Sequence, residues 1–97
     1  MVQQEKILLR DMSQRYRDLE AAEDEIRTLN RADKYITKIV RMRLLLRAAH
    51  FAWRGNHLTF LEASAGFYSE YGAVLWLLKT DQARGVLPRR EGLKEGV

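Results

Sequence analysis

Apolar and polar positions along the chain alternate with helical, not strand, periodicity from Gln3 to about Thr80. The first segment, about 3–29, carries Leu8, Met12, Leu19, Ala22, Ile26 and Leu29 in a seven-residue pattern that can be extended to Ile36 and Val40. Arg15, Asp33 and Arg43 interrupt it, and Asp11, Asp18 and Glu25 flank it. Two readings follow: a short coiled coil on a partner helix, or a stripe laid on the chain's own hairpin.

Asn30-Arg31-Ala32-Asp33 has the form of a helix start, with Asn30 as cap and Asp33 in the first turn. The residues on either side of it form one long helix or two. The second segment, about 31–54, is apolar around most of its circumference: Tyr35, Ile36, Ile39, Val40, Met42, Leu44, Leu45, Leu46, Phe51 and Trp53. Such a helix has neighbours on more than one side. Arg43, Arg47, His50 and Arg54 form a narrow stripe on it, about 60° wide at about 100° per residue.

Gly55-Asn56 predicts a tight turn, with Gly55 taking a left-handed conformation and Asn56 or Thr59 capping the next helix. The third segment, about 58–80, places Phe60, Phe67, Tyr71, Val74 and Leu78 on one face, with Leu61, Tyr68 and Leu75 beside it. Glu62, Gly66, Ser69 and Ala73 line the opposite face. Gly66 and Gly72 each cost about 1 kcal/mol relative to Ala inside a helix, so each calls for a packing reason. Seven of the nine aromatic residues fall between Phe51 and Trp76, which places the core there.

The expected fold is therefore all-α: an antiparallel hairpin preceded by a long, charged, coiled-coil-like N-terminal helix. One hairpin cannot cover two apolar sides, so oligomerisation, most simply a homodimer with a four-helix core, completes it. Residues 1–85 form a single helical domain, and 86–97, polar and containing Pro88, form a flexible tail.

Charge changes this picture in one respect. The net charge of +4 resides mainly in residues 31–54, which hold seven basic side chains against Asp33. The stripe Arg43, Arg47, His50 and Arg54 then has three readings: internal pairing of Arg47 with Glu62 and Arg43 with Glu70, recognition of an acidic protein surface, or phosphate contact with nucleic acid. An apolar helix after the turn speaks against base readout. Glu62 and Glu70 interrupt the third segment and Arg41, Arg43 and Arg47 the second, so neither is a comfortable membrane span, although peripheral membrane contact stays open.

Candidate chemistry is sparse. The chain has no cysteine, which removes thiolate chemistry, disulfides and Cys-based metal sites. His50 and His57 lie on either side of the turn, and with Glu62 match no familiar metal-ligand spacing. Ser64 and Ser69 lack a nucleophile-elbow glycine pattern. No catalytic residue, metal or cofactor is expected. An N-terminus without an apolar signal region and a chain without disulfides lead to an expected intracellular, cytoplasmic location.

The functional expectation is a non-enzymatic protein–protein interaction module: an adaptor, assembly factor, inhibitor or small structural subunit. Its contact residues would be the basic stripe and, on the N-terminal helix, Met12, Leu19, Ile26 and Leu29. The alternatives are a nucleic-acid-binding accessory protein that uses the basic middle helix, and a membrane-peripheral accessory subunit.

Overall fold

The structure, a computed structural model, describes residues 2–27 and 32–83. Three helices account for nearly all of them: α1 (Val2–Arg27), α2 (Ala32–Ala52) and α3 (His57–Ala83). Among the described residues there is no strand. Leu29, the Asn30 cap and the expected tail at 86–97 lie outside the described residues.

The buried positions recur every seven residues in all three helices. On α1 the row is Glu5, Met12, Leu19 and Ile26; on α2 it is Tyr35, Met42 and Ala49; on α3 it is Phe60, Phe67, Val74 and Asp81. A second row fills the gaps, with Leu9 and Ala22 on α1, Ile39 and Ala52 on α2, and Ala63, Tyr71 and Leu78 on α3. Repeats of seven keep one seam of each helix facing its neighbours along the full length. The helices share one core, and α2 packs most extensively on α3.

Contacts between α2 and α3 descend along one helix as they ascend along the other. Tyr35 bonds to Asp81, Lys38 and Arg41 reach Glu70, and Leu45 packs on Gly66. Contacts between α1 and α3 keep step instead: Glu5 meets His57, Asp11 meets Tyr68, and Arg15 lies over Tyr71. The core therefore receives side chains from all three helices along an elongated body of 45 × 22 × 17 Å.

Several sequence expectations are corrected here. The seam at the start of α1 uses Leu9, with Leu8 only partly buried. Extending the α1 register of 5, 12, 19 and 26 would put Asp33 and Val40 in the core, yet both are exposed. The α2 seam starts afresh at Tyr35, two residues out of that register, so α1 and α2 are separate elements. Leu61 is exposed, whereas its expected companions Tyr68 and Leu75 are packed against or within the core.

The turn between α2 and α3 also differs in detail. Gly55 stays outside the left-handed region. The helix closes through bonds from the Gly55 and Asn56 amides to the Ala52 carbonyl, at 3.1 and 2.8 Å. Asn56 then caps α3 by accepting from the Thr59 amide at 3.0 Å, satisfying a donor that the first helical turn leaves open.

The two helical glycines separate cleanly. A Cβ at Gly66 would meet the Leu45 side chain at 3.2 Å, so close packing of α2 on α3 accounts for it. Among the described residues nothing lies within 4 Å of a Cβ at Gly72, and no contact there explains that glycine. Gly72→Ala is therefore expected to raise unfolding stability by about 0.5–1 kcal/mol in urea titration. Gly66→Ala should gain less or lose, because Leu45 must shift; equal gains at the two sites would contradict the packing described.

Candidate interaction site

The first candidate surface, the apolar stripe of α1, is used internally. Met12, Leu19 and Ile26 are fully buried in the chain's own core. This corrects the expectation that they bind a partner: burial against α2 and α3 removes them from any external surface.

The polar residue that interrupts the stripe belongs to the same seam. Arg15 donates to Asp11 at 2.8 Å, one helical turn away, and its guanidinium lies 5.0 Å from the Tyr71 ring centroid and 5.9 Å from that of Tyr68. Tyr68 in turn donates its hydroxyl to Asp11 at 2.5 Å. Phe67 supports the pair, stacked near-parallel on Tyr71 and edge-on to Tyr68. The bond to Asp11 holds the Arg15 pKa above its ordinary value, despite partial desolvation. Burial, reinforced by the Asp11 hydrogen bond and charge, raises the Tyr68 phenol.

Other polar groups tie the two ends of the bundle. His57 Nδ1 pairs with the buried carboxylate of Glu5, joining the first turns of α1 and α3. Tyr35 donates to Asp81 within the core between α2 and α3. Ser64 Oγ is buried without a hydrogen-bond partner, so no base activates it as a nucleophile, while Ser69 is exposed. Among the described residues no cluster of three or more His, Cys, Asp or Glu is placed to hold a metal, and no helix is long and apolar enough to cross a membrane.

The basic stripe has a different fate. Arg43, Arg47, His50 and Arg54 are all exposed on α2. The internal pairing that is one reading of the stripe is not seen among the described residues: Glu70 instead takes Lys38 at 3.7 Å and Arg41 at 3.3 Å. With Leu45 directed at Gly66, Lys38 and Arg41 fall on the α3 side of α2 and Arg43 on the α1 side. There the charge of Arg43 acts on the Tyr16 phenol, whose pKa is nonetheless raised, chiefly by burial. Arg54 packs over the Trp53 ring at 4.5 Å. Among the described residues, no carboxylate pairs with Arg43, Arg47 or Arg54.

Sequence reasoning missed the exposed apolar residues on the outer sides of α2 and α3. Phe51 is 89% exposed, Leu58 70%, Trp76 65% and Leu44 56%, with Val40 and Leu61 also exposed. Val40, Leu44 and Phe51 run along the outer side of α2, away from the core row. Leu58, Leu61 and Trp76 do the same on α3, with Ala65, Ser69 and Gly72 between them. The signal was present in α2, where apolar residues surround most of the helix; assigning Phe51 and Trp76 to the core concealed it.

The chain matches no known protein family, curated protein or solved structure with which it was compared.

The Tyr68–Asp11 bond sets an alkaline dependence. A phenol whose folded-state pKa is raised above its unfolded value of 10.0 contributes its full stability below that pH and loses it as pH climbs toward the folded value. Thermal unfolding measured across that range is expected to show a progressive loss of stability, less steep in Tyr68→Phe. An identical alkaline slope in the variant would contradict the assignment.

Proposed function

We propose that this chain is a non-enzymatic protein–protein interaction module, acting as an adaptor, assembly factor, inhibitor or small structural subunit. Its folded unit is read as an antiparallel α2–α3 hairpin whose open side is closed by α1. The working surface is the outer side of α2, continued onto α3. One observation carries this reading: Phe51, Leu44, Leu58 and Trp76 stand in solvent although the core is already filled by other residues. Val40, Leu44 and Phe51 line up on one side of α2; exposed apolar patches are characteristic of contact sites, and aromatic anchors dominate binding energy at protein interfaces.

The basic stripe adjoins this surface and supports the same reading. Arg47 has no partner among the described residues and is available to a partner's carboxylate. With α1 closing the hairpin, a four-helix homodimer is not required to complete the core.

A photo-crosslinking amino acid in place of Phe51 or Trp76 tests this in cells that express the protein. Discrete covalent adducts to protein are expected from both positions and not from exposed Gln14 on α1. Adducts confined to lipid or nucleic acid, or equal labelling from Gln14, would contradict the proposal.

A further inference from the structure

We infer that the outer face of α2 receives an acidic amphipathic helix of another protein; this rests on the interaction reading above and names the chemistry of its partner. Val40, Leu44 and Phe51 are exposed and spaced i, i+4 and i+11. At about 100° per residue they fall within about 40° of one another, forming a straight apolar ridge along α2. A ridge with this spacing matches the apolar seam of a second helix laid along it.

Charge selects the character of that helix. Arg43, Arg47 and Arg54, with His50, form the flank of the ridge on the α1 side, and all are exposed. None of the three guanidiniums is paired with a carboxylate among the described residues. On the other flank Arg41 and Lys38 are already engaged by Glu70. A helix seated on Val40, Leu44 and Phe51 thus meets a row of uncompensated positive charge along one edge, and acidic residues at its own flanking positions complement that row.

A second copy of the chain fits less well. Pairing α2 with α2 antiparallel sets the arginine rows near one another, and pairing them parallel sets each row against the Lys38 and Arg41 flank, whose acid Glu70 is already engaged, so like charges oppose association either way. The exposed apolar side of α3 offers one acid, Glu62, to three guanidiniums. A nucleic-acid backbone would take the arginines but leave Val40, Leu44 and Phe51 in water. An anionic bilayer would meet both flanks of α2, and on the α3 flank Glu70 already offsets part of the charge of Lys38 and Arg41.

The test uses the full ¹⁵N-labelled chain and two designed helical peptides of about three heptads, with Leu in the seam and either Glu or Lys in the flanking positions. The Glu-flanked peptide should shift amide signals between Val40 and Arg54 and bind more tightly than the Lys-flanked one. Arg47→Glu, at an exposed position with no partner among the described residues, should weaken the Glu-flanked peptide about tenfold or more and strengthen the Lys-flanked peptide. Phe51→Ala should weaken both, with helicity unchanged by circular dichroism. Equal binding of the two peptides, unaffected by Arg47→Glu, would overturn the acidic partner while leaving the interaction module standing. Shifts of the same amides by phosphatidylglycerol-containing vesicles or a DNA duplex, with neither peptide bound, would overturn both.

Discussion

The structure depends on one spacing constraint, the seven-residue recurrence of buried positions in each of the three described helices. Phe60, Phe67 and Val74 on α3 form a row that cannot be covered by α2 alone, whose matching row is Tyr35, Met42 and Ala49. Met12, Leu19 and Ile26 of α1 supply the missing side, each buried side chain contributing roughly 2 kcal/mol through removal of apolar surface from water. The rows end in polar residues that are matched rather than stranded. Glu5 begins the α1 row and meets His57, and Asp81 ends the α3 row and accepts from Tyr35. Buried carboxylates without such partners would carry a desolvation penalty large enough to oppose this register.

Because α1 closes the core, the remaining apolar residues of α2 and α3 have nowhere to go inside the chain. Val40, Leu44 and Phe51 lie outward on α2, and Leu58, Leu61 and Trp76 outward on α3. The same geometry separates the cations of α2 into two groups. Lys38 and Arg41 face α3 and are drawn to Glu70, while Arg43, Arg47 and Arg54 fall on the other side of the ridge. Gly72 agrees with this division: its helical cost is returned by nothing among the described residues, and it sits in the outer row of α3 beside Trp76.

Much of the architecture was legible in the chain itself. Helical periodicity located all three elements, and Asn56 was readable as a cap because its side chain competes for the first-turn amides. The buried face of α3 was equally plain, since Phe60, Phe67, Tyr71, Val74 and Leu78 share one side. The destination of each apolar stripe was less so. A seven-residue stripe has the same pattern on a partner helix as on its own chain, so Met12, Leu19 and Ile26 could not reveal which they faced. The pairing of Glu70 was missed for a related reason. The register of α2 on α3 is set by Leu45 fitting against Gly66, and that fit brings Arg41, not Arg43, within reach. Aromatic residues misled most, because Phe51 and Trp76 resemble core residues in composition and differ only in the side of the helix they occupy.

The central claim is that α1 fills the core of its own chain and thereby leaves the outer side of α2 uncovered. Isotope-filtered nuclear Overhauser measurements on an equimolar mixture of labelled and unlabelled protein test it directly. The account predicts that contacts linking Arg15 to the Tyr71 ring, and Met12 and Leu19 to the core, arise within single molecules and are absent from the intermolecular spectrum. Finding those contacts only between labelled and unlabelled chains would contradict it, placing α1 on a neighbouring molecule and returning its stripe to the role of a binding surface.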